Sequence, residues 1–156
     1  MDEEKIKNLV KVWYEKAKHE RDKFSQFVYL WFCFNAWLAY RTGKDIDRHM
    51  LNDLKRKDPA GSDITDEYDR AFCSDSFKQR IQDLQSLCPI YDSRGKKAPV
   101  NINNMTDFPN VCEAIYRIRC NLFHGGKTPD ENRDTRLVRV AGSILGKWVG
   151  NLVSSW

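Results

Sequence analysis

The sequence has 156 residues, 41% of them hydrophobic and 31% charged, with eight Gly and five Pro. This suits one domain burying about 70% of its unfolded surface and excludes collagen-like, disordered and multi-domain chains. Lys and Arg number 26 against 22 Asp and Glu, giving +4, a mild excess that permits an anionic partner without requiring one.

Met1-Asp-Glu-Glu-Lys5 is acidic with no apolar stretch behind it, unlike a secretory signal. Ile6, Leu9, Val10, Trp13 and Ala17 recur at three- and four-residue steps and predict an amphipathic helix. Phe24 to Tyr40 is a 17-residue run without a charge, short of the roughly 20 residues that cross a bilayer. With Ser25, Gln26 and Asn35 inside it, it reads as the central helix of a bundle, packed on several sides. Gly43 is its stop.

Shorter helical patterns follow at Ile46, Met50, Leu51 and Leu54, and at Phe77, Ile81, Leu84 and Leu87. Between them lie a break at 58–62 and a short helix near 65–72. Residues 89–106 lack helical periodicity, and so long a connection in a compact domain is often functional or mobile. A helix is predicted over 107–123, with Pro109 tolerated in its first turn. The last helix begins at Thr128, with Pro129 in the first helical position and Glu131 completing a capping box. Its apolar face is Leu137, Val140, Ile144, Leu145, Trp148 and Leu152.

No alternating strand pattern or internal repeat occurs. The predicted class is all-α: a single domain over 1–156, an up-and-down bundle of four to five helices with short extra helices. The five cysteines include no Cys-x-x-Cys pair, so no metal site is predicted, and reduced thiols in the cytoplasm are expected.

Ala114 to Lys127 carries the functional signal. On a helical wheel Val111, Ile115, Ile118 and Leu122 form an apolar stripe, flanked by Cys112, Tyr116 and Phe123. Arg119 falls inside this apolar arc, whereas Arg117 faces the polar side. A guanidinium keeps its proton and resists desolvation, so Arg119 either pairs with a carboxylate, snorkels to water, or sits at a seam. His124 stands where Gly125-Gly126 end the helix, near the negative end of its macrodipole. The next helix start offers free N–H groups to an anion, and Lys127 adds charge between them. The set fits phosphate chemistry; the alternative is a histidine that only caps its helix.

Arg119-Cys-Asn-Leu-Phe-His124, followed by Gly-Gly-Lys127, resembles the Arg-x-x-x-x-His signature of the HEPN superfamily (higher eukaryotes and prokaryotes nucleotide-binding). The aromatic run Trp31 to Trp37 on an early helix also resembles this group. The resemblance implies a helical bundle that dimerises through the motif helix, with RNA as substrate and no metal or cofactor. Many members are endoribonucleases of toxin–antitoxin, antiphage or CRISPR systems, so an antitoxin or other protein partner is also implied, and no membrane. By position, His124 is the acid/base group and Arg119 polarises the scissile phosphate. Cys120 stands where the family often has a polar residue, and Asn121 is the nearest source of an amide. One toxin subgroup has a modified tyrosine two residues past the histidine; Gly126 holds that position here, and such regulation is not expected.

Lys127 and Asn35, the amide deep in the aromatic helix, are the substrate-binding candidates. Glu113 is expected to be solvated, and His19 and His49 to lie on the surface. Arg133, Arg136 and Arg139, together with the basic clusters Lys55-Arg-Lys57 and Arg94-Gly-Lys-Lys97, read as solvated faces or RNA contacts. Three functions remain open: a metal-independent endoribonuclease; a non-catalytic module of the same fold that binds RNA, a nucleotide or a protein; or a helical interaction domain with no nucleic-acid role, which would bury Arg119 in an intrachain salt bridge and cover His124.

Overall fold

Helix ends follow local capping chemistry. The computed structural model describes residues 1–124 and 132–156. Helix α1 (Glu3–His19) opens on Asp2, whose carboxylate accepts the Lys5 N–H. Glu3 and Glu4 in its first turn, with Lys16 and Lys18 in its last, complement the macrodipole. Helix α2 (Lys23–Thr42) is capped by Asp22 through the Ser25 N–H and ends at Gly43, whose φ of 67° is the left-handed stop that glycine adopts without strain. The link between them is three residues long, so α1 doubles back along α2.

Three shorter helices follow: α3 (Asp47–Lys55), α4 (Ser62–Phe72), preceded by a 3-10 turn over Pro59–Gly61, and α5 (Asp75–Ser86). Helix α6 (Phe108–Phe123) starts at Asp107, whose carboxylate accepts the Asn110 N–H, with Pro109 in its first turn. Helix α7 (Asn132–Ser154) closes the chain. Among the described residues there is no strand, only an isolated bridge between Ile90 and Val100. The all-α bundle is as predicted, with four long and three short helices among the described residues. No described helix is long and apolar enough to cross a membrane.

The core lies between α2 and α7. Trp148 of α7 is 1% exposed, donates its indole N–H to the Ile64 carbonyl at 2.8 Å, and meets Phe34, Tyr68 and Phe108. Gly150 lets Tyr14 of α1 approach; a Cβ there would stand 2.7 Å from the phenol oxygen.

Three expectations are corrected. Helix α4 begins at Ser62 because Pro59–Gly61 already turns the chain. Ile46 precedes α3 as its N-cap and is 52% exposed. Helix α2 is not covered all round, since Phe32 is 38% exposed and Asn35 half-buried. The predicted helix start at Thr128–Glu131 lies outside the described residues.

Candidate functional site

Helix α6 presents two working faces. On the first, Arg119 sits in the seam between α2, α3 and α6. Its Nη2 lies 3.1 Å from the Asp47 carboxylate, and the side chain keeps 21% exposure. The guanidinium carbon stands over three rings, at 4.5 Å from Phe123, 5.7 Å from Trp31 and 5.9 Å from Tyr116. Such faces stabilise a cation that is partly withdrawn from water. Its Nε is buried without a hydrogen-bond partner. Two of the arrangements open to a cation in an apolar arc therefore hold together: an internal ion pair, and a seam open to solvent.

His124 is the C-cap of α6 and is exposed. Its backbone N–H donates to the Cys120 carbonyl at 3.0 Å, while its imidazole faces solvent. Five residues along a helix amount to about 140° of rotation and about 7.5 Å of rise. Within one chain, Arg119 and His124 thus stand on different faces of α6.

The second face is built with the 90–98 loop. Asn121, 4% exposed, donates its amide to the Tyr91 carbonyl at 2.8 Å and accepts the Ser93 N–H at 2.9 Å. Arg117 donates to the carbonyls of Ile90 at 3.2 Å and Ala98 at 3.0 Å. These two side chains pin both ends of the loop to α6. At its tip the Asp92 carboxylate accepts the N–H groups of Arg94, Lys96 and Lys97 around Gly95, whose φ is 66°. Asn121 thus has its amide committed to the loop, away from Arg119. Asn121→Ala would take the partner from the half-buried Ser93 N–H and from the Tyr91 carbonyl, two hydrogen bonds with an expected cost of about 1–2 kcal/mol. Urea unfolding reads that loss, and faster amide exchange at Ser93 reports the loop's release.

Arg117 faces the polar side as read, and there its guanidinium is taken up by the loop's carbonyls. One sequence reading is overturned on this face. Glu113 is not solvated: its side chain is 16% exposed and pairs with Arg48 and with Lys55, the latter at 2.6 Å. Burial alone would raise the Glu113 carboxyl; the hydrogen bonds and charges of Arg48 and Lys55 outweigh it and hold it below its ordinary value. A carboxyl depressed in the folded state contributes stability above its unfolded value and loses it as pH falls through the folded one. Below about pH 4.5 the parent should lose stability more steeply than Glu113→Gln, as read by urea midpoints at stepped pH.

Arg48 also stacks on Tyr116 at 4.9 Å. Burial pushes the Tyr116 hydroxyl up to about 12, so it stays a neutral phenol. Arg48, Glu113, Tyr116, Arg117 and Cys120 line a groove with Asp92, Arg94 and Lys97 of the loop.

Of the remaining candidates, Asn35 is half-buried one turn beyond Trp31 on α2. Lys127 lies outside the described residues. His19 and His49 are exposed, as expected. Arg133 is tied to the loop, donating to the carbonyls of Leu87 and Pro89. Asp47, the partner of Arg119, carried no signal in the sequence beyond being an acid in a first helical turn. Compared with family models, curated proteins and solved structures, the chain matches none.

Proposed function

We propose that this chain is a metal-independent endoribonuclease of HEPN type, working as a homodimer in which the α6 helices of two copies face one another. The observation that carries the reading is Arg119. A guanidinium held by one carboxylate and three aromatic faces that keeps 21% of its side chain exposed can turn its accessible N–H donors to a phosphate oxygen. Because one chain sets Arg119 and His124 on different faces of α6, a second copy supplies the simplest way to bring both groups to one phosphodiester.

In this reading His124 takes the proton of a ribose 2′-hydroxyl as that oxygen attacks the adjacent phosphorus. The bond to the 5′-oxygen breaks, and that oxygen receives a proton from an imidazolium. The products are a 2′,3′-cyclic phosphate and a 5′-hydroxyl. Arg119 neutralises charge on the phosphorane. Asn121 acts as a positioning residue through the loop that it holds. Lys127 and Asn35 remain the proposed substrate contacts. A toxin–antitoxin or antiphage setting rests on the resemblance alone.

A second reading, a non-catalytic module of the same fold, is favoured by the Arg119–Asp47 pair, because that carboxylate competes with a phosphate for the same cation. Incubating the purified chain with total RNA in EDTA separates the two. The enzyme reading predicts new 2′,3′-cyclic phosphate ends that disappear with Arg119→Ala. RNA binding without cutting would support an RNA-binding module, and neither binding nor cutting would contradict both it and the enzyme. Asp47→Asn frees the guanidinium and is expected to tighten RNA binding several-fold, as read by fluorescence anisotropy.

A further inference from the structure

The loop over 90–98 is rigid by construction and carries charge outward. Asn121 and Arg117 fasten its two ends, and Asp92 closes its tip. The turn exposes Arg94, Lys96 and Lys97, and none of the three side chains pairs with a carboxylate among the described residues. Across the groove stands Arg48, with Arg117 and Cys120 on the α6 floor. Counting Lys55 and Lys96 beside it, the patch sets six cations against two carboxylates, Asp92 and Glu113. This local excess of positive charge attracts a polyanion.

The groove also points somewhere. On an ideal helix Arg117 and Cys120 lie within about 40° of the bearing of His124. The floor of the groove is therefore the α6 face that ends in the exposed imidazole. The groove's α6 lining runs from Glu113 to Cys120, about 10 Å of rise, and the same face reaches His124 about 6 Å further on, a path for a chain of charges and not a point for one small anion. Tyr91, 61% exposed, stands at the loop's base with its carbonyl held by Asn121, an exposed ring on which a base could stack.

We propose that the 90–98 loop is a preformed clamp for a single-stranded RNA backbone: Arg94, Lys96 and Lys97 on one bank and Arg48 on the other hold successive phosphates, delivering the strand along α6 to His124. The clamp rests on the RNA reading above and assigns the loop its part in it. A pre-ordered loop loses little conformational entropy when the strand binds, so its charge converts directly into affinity.

The test is anisotropy of a labelled 20-mer oligouridine against His124→Ala protein, from 50 to 300 mM KCl. The triple change Arg94→Gln, Lys96→Gln and Lys97→Gln alters exposed side chains only. It should weaken binding at least tenfold at low salt and flatten the slope of log K against log salt by about 2, at roughly 0.7 for each phosphate contact removed. Lys5→Gln, Lys16→Gln and Lys147→Gln remove the same net charge elsewhere and should change affinity less than threefold. Tyr91→Ala should weaken binding at least fivefold at every salt concentration without changing the slope. Equal effects of the loop and control triples would overturn the clamp while leaving the RNA reading intact. No RNA binding by the starting protein would overturn both. Loop-dependent binding in a chain whose parent never cuts RNA would sustain the clamp and overturn only the enzyme.

Discussion

His124→Ala is expected to slow RNA cleavage in EDTA by about 10²- to 10⁴-fold, the contribution typical of a positioned general acid–base group. The imidazole faces solvent, and its residue contributes to the fold through its backbone, whose N–H closes the last turn on Cys120. At φ −85° and ψ 4° the C-cap position is open to Ala. The variant should therefore unfold within about 0.5 kcal/mol of the parent, and any lost cleavage reports on chemistry. Arg119→Ala is less clean, since it also empties the space among Phe123, Trp31 and Tyr116 and leaves Asp47 unpaired. Unchanged single-turnover cleavage by His124→Ala would remove the imidazole from the mechanism.

Trp148→Ala should be the most destabilising single substitution proposed here, by about 3–5 kcal/mol. The ring is 1% exposed and touches Phe34, Tyr68 and Phe108, so its removal opens a cavity shared by α2, α4, α6 and α7. The Ile64 carbonyl would also lose its donor, adding about 1 kcal/mol. Against the 5–15 kcal/mol that holds a typical domain together, this is a large fraction. Urea unfolding followed by circular dichroism reads it. Trp148→Phe keeps most of the packing and should cost less than half as much. A loss below about 1.5 kcal/mol for the alanine variant would contradict the placement of Trp148 at the centre of the core.

The helices were legible in the sequence because their signals are local. Asp22 and Gly43 bracket α2, and Asp107 with Pro109 opens α6, each through contacts within a few residues. Ile46 misled because periodicity registers an apolar side chain without knowing whether a neighbour covers it. Glu113 misled for a related reason: its partners, Arg48 and Lys55, are distant in sequence. Arg119 was visible as a cation needing company, but nothing in the residue pattern selected Asp47 over another acid. For the 89–106 segment, the missing periodicity showed that no helix forms there. What holds it became clear only from the side chains of α6 that reach into its backbone.

A defined oligoribonucleotide cleaved in EDTA by the parent, Arg119→Ala, His124→Ala and the double variant, with product ends identified by mass, tests the pairing of these two residues most directly. The parent should leave 2′,3′-cyclic phosphate and 5′-hydroxyl ends, each single variant should form them at least about 10²-fold more slowly, and the double variant should be no slower than the slower single. Cleavage at the parent's rate in either single variant, or parent products bearing any other termini, would contradict it.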